Sequence, residues 1–341
     1  LFNYYNLNKN KIDNLTIFYK SHLSFKDNNL IIPLSGLANK QTILCNENGY
    51  FSQYLSDRYG FRNDDSIWDK DFNWVLLGDS FVHGSCVNND ETIHNHLEKG
   101  LNEEILNLAI VGNNGYDQIG AYKEYLVNKN PKNIIWFYFE GNDFRVSNNN
   151  EHHTITRKYL TENFSQNLKK KNKYININLE IEFNKKLSEY EKKKKFTILK
   201  LVNLRLILNQ FLPSFNLVRN KPHLIYKSQP TDKDIEQLEK IIKTIKNLTK
   251  KNNQNLYFVY LPSFQRYHNK DRSNDQTYFK RNEILNILEY GGYSVIDMHK
   301  ELFSKSKNPL NYFPYKDRKG HYTPDGYRAI SRIIIKKMLN I

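Results

Sequence analysis

The sequence predicts an α/β domain with a parallel sheet covered by helices on both faces, and three observations predict it. Apolar runs of strand length alternate with segments of helical spacing, which is the pattern of repeated βα units. Each run stops at glycine and small polar residues, as strands do where a sheet edge carries a cleft. The composition is that of a globular chain: 341 residues with 39% hydrophobic and 14% aromatic, enough for one large α/β domain with an insertion, or for a domain plus a small cap.

Residues 1–73 mix aromatic and polar side chains without sustained periodicity, among them Tyr4, Tyr5, Phe18, Tyr19 and the run Leu30 to Leu34 around Pro33. They read as an N-terminal extension packed over the main domain. Within it Asp57 and Arg58 sit beside a glycine turn, where a structural ion pair is the reading and a substrate contact the alternative. Trp74 to Leu77 runs without a polar break into Gly78, a buried parallel strand ending in a tight turn that delivers Asp79 and Ser80 to the carboxyl edge. Glu91 to Leu101 follows at helical spacing, with Ile93, Leu97 and Leu101 on one face.

A second strand, Ile105 to Ile110, ends in Val111, Gly112, Asn113, Asn114 and Gly115, where two glycines let backbone amides point into a cleft. A helix over Tyr116 to Val127 stops near Asn130 and Pro131. Asn133 to Phe139 is the third and strongest strand and closes on Glu140, Gly141, Asn142 and Asp143; the Asn142 amide is a hydrogen-bond donor at that edge.

An insertion over about 146–230 then separates the halves 74–145 and 231–341 of the main domain. It opens with His152 and His153, read as loop histidines because no third metal ligand accompanies them. From Leu179 its pattern is helical, and Phe196 to Leu212 is apolar around most of its circumference. That segment must be buried, either as a cap over the cleft or, flanked by lysines, against a membrane surface through 196–212. The main domain resumes with a helix at Asp232 to Lys251, a strand at Asn255 to Leu261, a helix at Asn282 to Tyr290, a strand at Ser294 to Asp297 and a last helix from Tyr327 to Leu339. Tyr267 and His268 fall just beyond the fourth strand, in reach of the cleft and without an assigned role.

The formal net charge of +15 admits an anionic polymer, a membrane surface or nucleic acid as partner. The basic residues are dispersed apart from two lysine runs, and Lys, Asn, Ile, Tyr and Phe are abundant together, as an AT-rich coding sequence produces; no nucleic acid is expected. Two cysteines, Cys45 and Cys86, are too few for a disulfide framework, lack metal-ligand spacing and do not fix the compartment. No apolar run spans a bilayer and no signal-peptide pattern opens the chain. The first residue is Leu1, so a targeting peptide or anchor upstream stays open, and with it the choice between cytoplasm and cell envelope. The oligomeric state is equally open.

Ser80 is a candidate nucleophile by position and type, although a Gly-Asp-Ser after an apolar run also serves as a plain helix cap. The wider set is more specific. Gly78-Asp79-Ser80, Asn107 to Gly112 and Gly141-Asn142-Asp143 resemble, in order and spacing, the first three blocks of the SGNH, or GDSL-type, hydrolases, and Gly320-His321 with Tyr322 to Tyr327 resembles the fourth. Ser56 to Asn63 and the run FEGNDF are similar to stretches in members found with bacterial surface-polysaccharide genes.

The resemblance covers roughly 74–145 and 255–341. It implies a three-layer α/β/α sandwich with a flavodoxin-like parallel sheet and an α-helical insertion. It also implies a serine esterase or O-acyltransferase that acts on an O-acyl ester, O-acetyl above all, of a glycan, without cofactor or metal. Ser80 would be the nucleophile, His321 its base, and the backbone N–H groups of Ser80 and Gly112 with the Asn142 side chain the oxyanion site.

One departure stands out. The family's Asp three residues before the histidine is Arg318 here. A bulge at Lys319 and Gly320 would let Asp317 orient His321; failing that, a backbone carbonyl leaves a Ser–His dyad, and Asp297 is the weaker substitute. Asp325 reads as helix-start chemistry, and Asp79 and Asp143 as structural turn acids. A reading of another class stands beside the enzyme: a non-catalytic binder of anionic polymer or membrane on a degenerate core.

Overall fold

The computed structural model describes residues 1–21, 23–24, 30–146, 151–199, 229–268, 278–315, 317 and 319–340. In residues 1–73 the apolar residues come in twos and threes between polar ones, and the elements are correspondingly short: helix α1 (Phe2–Asn8) and strands β1 (Leu15–Ile17), β2 (Leu23–Ser24), β3 (Leu30–Ile31), β4 (Gln41–Ile43) and β5 (Gln53–Leu55). β1 pairs with β4 in parallel and β4 with β5 antiparallel, while β2 and β3 form a separate two-stranded ladder. Ile17, Ile31, Ile32, Leu34 and Ile43 of this segment are buried in the core that covers one face of the main sheet.

The main sheet has five parallel strands: β6 (Trp74–Leu77), β7 (Ile105–Asn107), β8 (Asn133–Phe139), β9 (Asn255–Leu261) and β10 (Ser294–Asp297), in the spatial order β10-β9-β8-β6-β7. Counted along the chain this is the 2-1-3-4-5 order of flavodoxin-like folds, with the switch point between β6 and β8. β8 is apolar at nearly every position because both faces are covered, and its side chains alternate between two cores. Ile134, Trp136 and Tyr138 join Val75, Leu77, Phe258 and Tyr260 on one face, and Ile135 and Phe137 join Leu76, Val259 and Leu261 on the other.

Helix α2 (Ser80–His83) follows β6 directly, and α3 (Ile93–Leu101) brings Ile93 and Leu97 to the second face. α4 (Gly115–Tyr125) covers the first face with Tyr116, Ile119 and Tyr122. Asn107, at the end of β7, takes the Ala109 N–H on its own side chain and exchanges backbone bonds with the Asn63 amide, so the strand stops there and not at Ile110 as its apolar run suggests.

The insertion contributes α5 (Glu151–Thr156) and α6 (Asn172–Leu199). His152 and His153 lie on α5, not in a loop: His152 contacts the buried Asp117 carboxylate at 2.6 Å and His153 the Asn114 amide at 2.9 Å. α6 packs Ile175, Leu179 and Phe183 into the first-face core, with Phe183 edge-on to Tyr5 and Tyr19. Of Phe196 to Leu212, residues 196–199 end α6 and 200–212 lie outside the described residues.

Helix α7 (Asp232–Lys251), opened by a capping box between Thr231 and Asp234, and α9 (Arg281–Tyr290) complete the first layer. The short α8 (Phe264–His268) and α10 (Met298–Glu301) follow β9 and β10 at the carboxyl edge. α11 (Pro324–Met338) closes the second layer against α3 through Tyr327, Ile330 and Ile334. No described helix is long and apolar enough to cross a membrane.

Candidate active site

The strand β6 ends where backbone, helix and neighbouring strand crowd together. A Cβ on Gly78 would stand 2.6 Å from Val82 Cγ2, so only glycine lets the chain turn from strand into α2 there. Asp79 caps the turn by accepting the Phe81 N–H at 2.9 Å, which fixes Ser80 as the first residue of the helix. Ser80 Oγ lies 3.0 Å from His321 Nε2. The histidine precedes α11, whose Thr323 caps the helix, and its ring rests against Phe81 at 4.9 Å between centroids.

On its other side His321 Nδ1 is 3.2 Å from both oxygens of Glu47, and its backbone N–H donates to Glu47 Oε2 at 2.7 Å. Glu47 belongs to the loop between β4 and β5, so the N-terminal segment supplies the carboxylate. Gly320 makes the approach possible: a Cβ there would stand 3.0 Å from Glu47 Oε2 and 2.9 Å from Pro314 Cγ. Burial works to raise the Glu47 carboxyl, but the hydrogen bonds and charge of His321 outweigh it and hold the group below its ordinary value.

The resulting row of Ser80, His321 and Glu47 opens into a cavity of about 230 Å³, walled by Phe81, Phe139 and Phe264 and by Gly141, Asn142 and Gly320. Beneath it Asp79 and Asp143 are buried together. Burial raises the Asp79 carboxyl, and burial followed by the nearby Asp79 charge raises Asp143 well above its ordinary value. Asp143 accepts the Phe139 N–H at 2.9 Å and so ties the turn back onto β8. Both acids are turn-builders, as their places in the sequence suggest. Behind the cavity Glu140 and Arg266 form a wholly buried pair at 2.6 Å that also takes the Ser263 N–H and the Tyr260 hydroxyl, locking the ends of β8 and β9 together.

Of the residues expected at the site, the structure brings Ser80, His321 and Asn142 to one cavity. Gly112 has φ +78 and open space where a Cβ would be, but it is exposed and not part of that cavity wall. Asn142 Oδ1 is buried without a partner among the described residues. Asp317 is exposed, and the carboxylate that meets His321 Nδ1 is Glu47. Asp297 is engaged elsewhere, with Arg281 and with the His299 N–H at 3.0 Å.

The two cysteines form a disulfide, Cys45–Cys86, where the sequence offered no pattern to pair them. Arg62, inside the Ser56 to Asn63 run but without a role assigned from the sequence, is buried and clamps the chain after α2 through the Gly84 and Val87 carbonyls at 2.6 and 3.0 Å. Asp57 is structural: it is buried and accepts from Tyr59, Phe61, Asn63 and Trp68, while Arg58 grips Asp65 and Asp69.

Among the described residues, Glu47, Cys86 and His321 place ligand-type atoms within 4.8 Å of one another. The sulfur of Cys86 is bonded in the disulfide, and thiolate, not disulfide, is the metal-binding form. The chemistry the row can perform is proton transfer. A hydroxyl meets an imidazole nitrogen at hydrogen-bond distance, and the opposite nitrogen faces a carboxylate, the arrangement that activates a serine.

No family model matches the chain, and no curated protein matches it. Among solved structures the chain is similar to a lipolytic protein of the G-D-S-L family from Desulfitobacterium hafniense, at 12% identity and TM-score 0.41 over 77% of this chain and 97% of that one. It is similar as well to an acetyl xylan esterase, at 14% and 0.44 over 77% and 98% of the two chains. A third is a two-domain esterase active on acetylated mannans, at 12% and 0.40 over 81% of this chain and 51% of the other.

Proposed function

We propose that the protein is a serine esterase or O-acyltransferase that removes an acyl group from, or passes it to, a glycan hydroxyl through an acyl-serine intermediate. The observation that carries this reading is the contact of Ser80 Oγ with His321 Nε2 at 3.0 Å, with Glu47 at the other ring nitrogen, inside an open cavity.

Ser80 attacks the ester carbonyl while His321 Nε2 takes its proton, and Glu47 holds the Nδ1 proton and balances the imidazolium. The tetrahedral oxyanion is met by the Ser80 N–H and the Asn142 side chain, which share the cavity with His321, each such donor contributing about 10²- to 10³-fold in rate; Gly112, outside the cavity wall, is not counted among them. Collapse breaks the bond to the alcohol, which leaves with the proton from His321. Water or a second hydroxyl then gives its proton to His321 and attacks the acyl-serine, and Ser80 is restored. The wall of Phe81, Phe139 and Phe264 in a cavity of about 230 Å³ supports a short acyl group such as acetyl.

The test is release of p-nitrophenol from p-nitrophenyl acetate and of acetate from an O-acetylated oligosaccharide, for the wild-type chain, Ser80→Ala and His321→Ala, with mass spectrometry of the acyl adduct. The expected result is loss of turnover in both variants by at least about 10³-fold, with the adduct on Ser80 in the wild type. Equal background rates and no adduct would replace this reading with that of a binder of anionic polymer.

A further inference from the structure

Cys45 and Cys86 are 41 residues apart in sequence, and their bond ties two segments that the site needs in register. Cys45 lies in the β4–β5 loop two residues before Glu47, and Cys86 in the turn that leaves α2, which begins at Ser80. The base of the loop is closed by the Leu44 and Ser52 N–H groups, which donate to Ser52 and Cys45 carbonyls at 3.0 and 2.9 Å. Those bonds shape the loop without fixing its tip against Ser80. Besides Glu47's own bonds to His321, two hydrogen bonds among the described residues reach the Ser80 side, Asn48 Nδ2 to the Cys86 carbonyl at 3.0 Å and the Tyr50 hydroxyl to Glu91, and each is a modest net interaction.

The disulfide is the covalent member of this set. Its Cys86 end is buried, held in the left-handed region at φ +64, and seated 3.8 Å from His321 Nδ1. The same bond therefore fixes the carboxylate loop and packs against the ring that the carboxylate orients.

We infer that Cys45 and Cys86 are positioning residues for catalysis: their disulfide holds Glu47 on His321, an inference that rests on reading Glu47 as the orienting acid. Cutting the bond leaves Glu47 to sample positions away from Nδ1, so the fraction of molecules with a complete Ser–His–Glu row falls and kcat falls with it. KM, set by the cavity wall, stays. A phosphine reductant makes the cut: the disulfide takes up two electrons and two protons to give two thiols, and phosphine plus water becomes phosphine oxide. The site is then redox-sensitive without a cysteine touching substrate.

The experiment compares the oxidised wild type, the wild type reduced with a phosphine, Cys45→Ala/Cys86→Ala, Glu47→Ala and the triple variant. Ester hydrolysis gives kcat and KM, and proton NMR follows the low-field Nδ1–H signal of His321. The expected result is a drop in kcat of about tenfold on reduction or in the double variant, with KM within about twofold and the low-field signal lost. In the Glu47→Ala background, removing the cysteines has no further effect.

Unchanged kcat on reduction, or a triple variant whose loss is the product of the separate losses, would overturn the inference, because a disulfide that only stabilises the fold acts independently of Glu47. Wild-type kcat in Glu47→Ala would instead overturn the assignment of the acid itself, and is seen without touching the disulfide. If the cysteine variant fails to fold by circular dichroism, reduction of the folded wild type decides. If Glu47→Ala turns over only at background, the NMR signal decides.

Discussion

Glu47 presents its two oxygens to two donors of one residue, the backbone N–H of His321 at 2.7 Å and Nδ1 at 3.2 Å, and this makes an unusual prediction for its replacement by glutamine. The amide oxygen of Gln is the only atom that can accept the backbone N–H, so it takes the Oε2 place, and the NH₂ takes the Oε1 place 3.2 Å from Nδ1, where it pairs with the ring only by donating. That pairing favours the tautomer with the ring proton on Nε2, where it blocks acceptance of the Ser80 proton, over the one in which Nδ1–H shares the Oε2 position. Glu47→Gln is therefore expected to lose activity by up to about 10⁴-fold, the scale of a triad acid turned to amide, and to be worse than Glu47→Ala, which leaves the tautomer free. Steady-state hydrolysis of p-nitrophenyl acetate checks the order; an alanine variant slower than the glutamine variant would contradict it. Ser80, Asn142 and His321 were legible in the sequence because each sits in a block whose local spacing carries the signal. Glu47 was not, since it lies 274 residues from its partner in an Asn-rich loop with no pattern around it. What the sequence did hold was Arg318 at the place where the resemblance implies an acid, and the nearest acid along the chain, Asp317, is exposed.

Elements were readable where apolar runs were unbroken: β6, β8 and β9 begin and end as the sequence suggests, because buried strands need such runs, and β10, with only Val295 and Ile296 apolar, keeps its expected bounds as well. The short strands β1, β4 and β5 were not, since three residues cannot display a period. β10 hands the chain to α10, and there His299 stacks on Tyr267 and meets its hydroxyl through Nδ1 at 2.8 Å. Burial, then the charges of Arg266 and Arg281, with Glu140 opposing, lower this histidine to about 4 from 6.5. Between those values the unfolded chain takes a proton that the folded one refuses, so stability falls as pH drops through the window and is whole above it. After allowance for the partly exposed ring the loss is about 2 kcal/mol. Urea midpoints at pH 7 and pH 4.5 should separate by less in His299→Gln, which keeps an acceptor for Tyr267 and cannot titrate. An equal separation in variant and wild type would place the pH sensitivity elsewhere.

On the scale of the whole molecule, the first 73 residues behave as part of the folded core. Ile31, Ile32, Leu34, Leu37, Ile43, Tyr54 and Phe61 are buried at 3% exposure or less, most of them within the core on the first face of the main sheet. Full burial of such a side chain is worth about 1.5–3 kcal/mol, so together they contribute on the order of 10 kcal/mol, comparable with the entire net stability of a typical domain. The same segment brings Glu47 to His321, Arg62 to the turn after α2 and Cys45 to Cys86. A chain starting at residue 70 would keep the five-stranded sheet and both Ser80 and His321, and a sheet-centred view expects it to fold and retain slow turnover. The packing predicts otherwise. Its first-face core would lie open to water, and the truncated chain should show no cooperative urea transition and should bind a hydrophobic dye at neutral pH. Cooperative unfolding of that truncated chain with wild-type kcat would show that the segment serves neither the core nor the site.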